Sequence, residues 1–271
     1  MHIFFCILIF IMGTVFGSFF TLAVYRIPLD KNIVNERSFC PKCNHKLKFL
    51  DMIPVLSYLF LRGKCRYCGE KVRIRYLLLE VLSGIVFLAF YLSLGVEYPF
   101  FTFKDIIYFA AFIMFYVTVI IISGIDKENL YIDKRVLLFG LIMQAVYQLF
   151  LYNLKEDYGN TYQYLILLIC VFTALFLELL SLKKSGETKY SIQIILFISY
   201  LMMFVPPTNW WIYSIVSIVI ILLYYIYIKT KSNIIEKPDI LQELPEKKLP
   251  IGFCLGISSI IVILTGNFMM L

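Results

Sequence analysis

"MHIFFCILIFIMGTVFGSFFTLAVY", residues 1–25, holds no Asp, Glu, Lys or Arg. An apolar helix needs about 20 residues to cross ~30 Å of hydrocarbon. The run lacks a basic start, is longer than a signal peptide's apolar core and leads to no small-residue cleavage site. It is expected to be a retained first membrane span. Seven further apolar runs follow, at residues 77–96, 105–123, 136–154, 161–182, 190–206, 209–228 and 250–268. In lipid every backbone polar group must be satisfied within its own segment, so each run is predicted to be a helix.

Composition agrees with this patterning. Of 271 residues 61% are hydrophobic, and the mean hydropathy is +0.84. Soluble domains do not string apolar residues this way, so a water-soluble core is excluded. The expected class is an all-α polytopic membrane protein with about eight transmembrane helices and a small cytoplasmic zinc-ribbon-like subdomain. Its parts are a first span at 1–25, a cytoplasmic piece at 26–76 and a seven-span domain at 77–271, with a charged linker at 229–249.

Charge orients the bundle. With the N-terminus outside, the inner segments 26–76, 124–135, 183–189 and 229–249 hold 23 of the 25 Lys and Arg, leaving Lys104 and Lys155 outside. That asymmetry follows the positive-inside rule. The net charge of +7 then reflects topology and attraction to anionic lipid. Nucleic acid is not an expected partner.

Four of the seven cysteines, Cys40, Cys43, Cys65 and Cys68, fall in the first inner segment, as "CPKC" and "CRYC" separated by 21 residues. Each C-x-x-C turn presents two thiolates to one ion, and two such turns complete a tetrahedron. Cytosolic thiols stay reduced and available. Four sulfur ligands leave no open position, so the zinc is expected to be structural. Gly69, just after the second pair, is expected at positive φ.

Acids are scarce inside the spans. Two collect at the inner edge, in "SGIDKENLYID" (Asp126) and "KKSGETKY" (Glu187). A carboxyl at a lipid boundary needs protein, water or a cation beside it. Two neighbouring carboxyls share a proton: one acts as base on water and the other donates to a carbonyl. Such a pair hydrolyses amides without metal. Glu80, in the second span, is read as a structural pair or a lining of the substrate groove. Lys189 is read as holding Glu187 or as a plain inner-face cation.

The stretches "GSFFTLAVYRIP" (17–28), "CPKCNHKLKFLDMIPVLSYLFLRGKCRYCGEKVRIRYLLLEVLSG" (40–84) and "LPIGFCLGISS" (249–259) resemble the type IV prepilin peptidase family. The resemblance implies a first catalytic aspartate in an Ile-Asp pair, here Ile125-Asp126. A second Asp follows seven residues on, here Asp133, preceded by Ile132 where the family usually has Pro. Asp133 is expected to cap the helix that begins near Lys134. The family's Gly-x-Gly-Asp-x-Lys motif aligns with Lys184-Ser185-Gly186-Glu187-Thr188-Lys189. Gly186 and Lys189 match, while Lys184 and Glu187 depart.

The resemblance further implies removal of a leader from type IV prepilins or pseudopilins at the bacterial inner membrane. It also implies N-methylation with S-adenosylmethionine. Two other readings stand beside it. One is a catalytically impaired homologue, with Glu187 as the lesion, that binds prepilins or acts as a scaffold. The other is a small transporter, which needs ionisable groups near mid-bilayer that the spans hardly supply.

Overall fold

The computed structural model describes residues 2–33, 37–95, 102–153, 190–205, 209–234 and 249–268, with Thr173 and Phe176. Its helices are α1 (His2–Arg26), α2 (Leu56–Phe60), α3 (Arg75–Ser93), α4 (Phe103–Asn129), α5 (Lys134–Asn153), α6 (Tyr190–Phe204), α7 (Trp210–Ile234) and α8 (Ile251–Phe268). Among the described residues four stretches, His2–Leu29, Arg75–Ser93, Phe103–Asn129 and Trp210–Thr230, are long and apolar enough to cross a membrane. Tyr190–Phe204 and Ile251–Gly266 are shorter apolar helices. The expected span at 161–182 lies outside the described residues.

Two helices continue past the ends of their apolar runs. The third span was expected to give way to a loop at 124, but α4 continues to Asn129. It stops at Leu130, where φ is 54° and the N–H bonds the Asp126 carbonyl at 2.9 Å. The linker was expected from 229, but α7 continues to Ile234. Hydropathy marks where lipid ends, whereas a helix ends where its hydrogen bonding is broken, and charged residues extend it freely.

The chain divides into two compact units, residues 1–113 and 114–270, with the boundary inside α4. In the first, α1 and α3 meet along small residues. A Cβ on Gly13 would lie 2.6 Å from the Ser83 carbonyl oxygen, and one on Gly17 would lie 2.7 Å from the Glu80 Cα. Between helices in lipid the driving force is close packing, which the G-x-x-x-G spacing permits. Phe16 packs on Phe87 at 5.4 Å between ring centroids, and Phe90 stacks on Phe112 at 3.6 Å. The opposite side of α1 leaves Ile3, Phe4, Ile7, Leu8 and Ile11 exposed.

Arg26 ends α1 and is only 3% exposed. Its guanidinium donates to the carbonyls of Asn32 at 3.0 Å and Arg37 at 3.3 Å, so the buried cation ties down the chain that follows. Two matching turns come next. The Cys40 N–H bonds the His45 carbonyl at 3.0 Å, and the Cys65 N–H bonds the Glu70 carbonyl at 2.8 Å. Each turn is closed by one antiparallel bridge, Phe39 to Lys46 and Lys64 to Lys71. The fourth residue after the leading cysteine has positive φ in both, Asn44 at 55° and Gly69 at 71°. Asn and Gly tolerate that conformation best.

In the second unit α5 reaches α4 and α6 through Gly140. A Cβ there would lie 2.5 Å from Thr118 Cγ2 and 3.0 Å from Tyr200 Cζ. Phe204 stacks on Phe115 at 4.2 Å. The hydroxyls of Ser217 on α7 and Ser258 on α8 are hydrogen-bonded at 2.9 Å, a polar link of the kind that joins helices in lipid.

Candidate active site and metal centre

Asp126 lies one turn before the end of α4 and has no exposed surface. Two elements distant in sequence reach it. The Tyr190 hydroxyl, at the start of α6, donates to Oδ1 at 2.5 Å. The Phe253 N–H, in the first turn of α8, donates to Oδ2 at 3.0 Å. Both carboxyl oxygens thus face donors, and one of them is the N-terminus of a helix, where backbone N–H groups and the helix dipole favour an anion.

The approach depends on two glycines. A Cβ on Gly252 would lie 3.1 Å from Asp126 Oδ2, and one on Gly256 only 2.0 Å from Ser123 Oγ. Ser123 and Asp126 are three apart on α4, Gly252 and Gly256 four apart on α8, so one face of each helix is engaged. Beside the site the Lys127 ammonium lies over the Phe253 ring, 4.3 Å from its centroid.

Asp133 sits just before α5 and is fully buried. Its Oδ1 accepts the Arg135 N–H at 2.8 Å, its Oδ2 accepts the Tyr131 hydroxyl at 2.5 Å, and the Arg135 guanidinium donates to Oδ2 at 2.8 Å. Burial pushes this carboxyl up. The Arg135 and Tyr131 hydrogen bonds outweigh burial and hold it below the usual carboxylate range. These bonds occupy Asp133 with its own turn.

Glu80 is in the first unit. Its Oε2 accepts the Val55 N–H at 2.7 Å, immediately before α2. Val55 has φ of 62°, rare for a β-branched residue. Glu187, Gly186 and Lys189 lie outside the described residues. Tyr190 and the first turn of α8 are partners of Asp126 that motif reading missed. The available signals were a tyrosine directly after Lys189 and the four-residue glycine spacing in "GFCLG".

The four cysteine sulfurs all lie within 4.8 Å of one another. Cys40 Sγ and Cys68 Sγ are 3.8 Å apart, the edge of a tetrahedron with ~2.3 Å zinc–sulfur bonds. The donor set therefore fits one zinc ion. The N–H of Cys43 brings the Cys40 thiol down to about 7, against the effect of burial. Asp51 braces the second turn. Its Oδ2 accepts the Tyr67 hydroxyl at 3.0 Å and the Lys48 N–H at 3.1 Å, and Oδ1 pairs with Arg66 at 2.6 Å. Burial raises this carboxyl, and those three partners more than reverse the effect.

Residues 11–94, which carry this centre, match the model of the bacterial peptidase A24 N-terminal domain. Similar stretches occur in proteins named prepilin leader peptidase/N-methyltransferase. The one from Myxococcus xanthus is 45% identical over 85 residues, 31% of this chain and 25% of its own length. The one from Bacillus subtilis is 32% identical over 142 residues, 52% of this chain and 54% of its own. The one from Dichelobacter nodosus is 30% identical over 177 residues, 52% of this chain and 56% of its own.

Over residues 11–94 the chain is similar to the bacterial peptidase A24 N-terminal domain.

The chain spans from a quarter to just over half the length of these three curated relatives. No solved structure matches it. The family match covers α1 from residue 11, both cysteine turns, α2 and α3, and so includes Glu80 and Asp51. Asp126, Tyr190 and α8 follow it in the chain.

Proposed function

We propose that this chain hydrolyses a peptide bond in the leader of prepilin-like substrates, with Asp126 and Glu187 as its two carboxyls. The observation that carries the reading is the setting of Asp126. A carboxyl buried at the end of a membrane helix, with a donor on each oxygen, is held for chemistry more than for solubility. In its ionised form Asp126 only accepts hydrogen bonds, as these donors require, and it takes the proton of the attacking water. Protonated Glu187 gives its proton to the carbonyl oxygen, and the tetrahedral diol collapses with transfer of a proton to the leaving amine. Tyr190 and the first turn of α8 orient the Asp126 carboxylate.

Topology completes the proposal. The N-terminus lies outside, and both carboxyls and the cysteine centre lie at the cytoplasmic face of the inner membrane, as the distribution of Lys and Arg supports. Zinc on Cys40, Cys43, Cys65 and Cys68 supplies structural cross-linking. Methylation of the new N-terminus by S-adenosylmethionine rests on the relatives' names. Glu187 in place of the family's aspartate lengthens the side chain by one methylene, a displacement on the order of 1 Å, which can cost ~10²-fold in rate.

The test is leader loss from a purified prepilin incubated with the full chain. Cleavage by the parent, abolished by Asp126→Asn and increased by Glu187→Asp, supports the reading. Cleavage by neither the parent nor Glu187→Asp overturns it in favour of a prepilin-binding scaffold.

A further inference from the structure

The segment between α1 and α3 exposes large apolar side chains although it crosses no membrane. Phe49 is 78% exposed and Leu50 62%, both in a 3-10 turn at Phe49–Asp51. Leu56 is 50% exposed, Leu59 58% and Phe60 83%. The last three occupy positions i, i+3 and i+4 of α2 and share one face. The turn packs against α2. Soluble surfaces rarely carry so many adjoining apolar groups without a partner.

The partner follows from where α2 is tied. Its entry residue Val55 donates its N–H to Glu80. Glu80 is the sixth residue of α3, which is long and apolar enough to cross a membrane. At ~1.5 Å per residue that is only ~7 Å along the helix from its first residue. The start of α2 therefore lies at the level where a spanning helix enters the headgroups. At its other end the segment follows directly from the first span. Exposed cations bracket the apolar groups: Lys48 precedes Phe49-Leu50, Arg62 and Lys64 follow Leu59-Phe60, and Arg73 and Arg75 flank exposed Ile74. Apolar groups bordered by Lys and Arg are the pattern of elements that lie in the membrane interface, stem buried and charge at the phosphates.

We propose that α2 and the preceding 3-10 turn form an interfacial anchor, with Phe49, Leu50, Leu56, Leu59 and Phe60 immersed at the headgroup–acyl boundary of an anionic bilayer. The Asp51 bonds to Arg66 and Tyr67 fasten this anchor to the second cysteine turn. The metal centre is thereby held flat against the bilayer instead of projecting into water.

The experiment places a fluorescent reporter on the face. Phe60→Trp is made in the full chain with Trp210→Phe and Trp211→Phe, and reconstituted in nanodiscs of phosphatidylcholine and phosphatidylglycerol. Lipids brominated near the headgroup are expected to quench it at least about twofold more strongly than aqueous iodide, the ratio rising with the phosphatidylglycerol fraction. Adding Leu56→Ser and Leu59→Ser should reverse the preference. Phe49→Trp in the same background repeats the measurement, so a fold defect in one variant does not decide it. Dominant iodide quenching at both positions overturns the proposal. So does lipid quenching that vanishes when a prepilin N-terminal peptide is added, which would assign the face to a peptide.

Discussion

Asp126 is hydrogen-bonded by residues far away in the chain. Tyr190 is 64 positions away and Phe253 is 127. Replacing Tyr190 by Phe removes one hydrogen bond to the carboxylate. At ~1.5–3 kcal/mol for such a bond, leader cleavage should fall roughly 10- to 100-fold with little change in fold, as single-turnover cleavage and circular dichroism would show. Gly256→Ala is a different lesion. Its methyl meets Ser123 Oγ at 2.0 Å, so α4 and α8 must part, at about 1–3 kcal/mol, visible as an earlier unfolding midpoint. The Ile-Asp setting singles out Asp126, and its partners lie far from it in the chain. Tyr190 is not singled out, because one hydroxyl in a chain of 20 tyrosines carries no local mark of what it will touch.

Among the elements, the turn from α4 to α5 is held by Asp133. The sign of its pH dependence follows from its shift. The carboxyl titrates lower folded than unfolded, so its contribution is complete above the unfolded value of ~3.9 and is lost as pH falls through the folded value. The protection factor of the Arg135 amide, taken relative to its intrinsic exchange rate, should fall below about pH 4 in the parent and be low and independent of pH across that range in Asp133→Ala. Substitution of Gly13 by Leu should separate α1 from α3, since even a methyl would sit 2.6 Å from a carbonyl oxygen. Cross-linking between the two helices would report the change. Helix existence was readable along most of the chain because apolar runs are a local signal. Helix ends were not: α4 and α7 each continue past their apolar runs, since Lys127, Glu128 and Lys229 are good helix formers.

For the whole molecule, the cysteine centre was the most legible feature, because C-x-x-C geometry is fixed within four residues and needs only its counterpart. Its matching turns, with Asn44 standing where the other has Gly69, were half visible, since glycine advertises positive φ and asparagine does not. Metal analysis of the purified chain should give one zinc per molecule. Chelation should make the chain between Cys40 and Cys68 sensitive to protease while the α1–α3 packing survives, because those glycine contacts do not involve the thiols. The full enclosure of Asp126 has a chemical consequence. A water-soluble carbodiimide should label exposed Glu128 readily and leave Asp126, two residues earlier on the same helix, unmodified. Any cargo that quickens adduct formation at Asp126 must have prised the first turn of α8 or Tyr190 away, so mass mapping of that modification reads the opening event without requiring turnover.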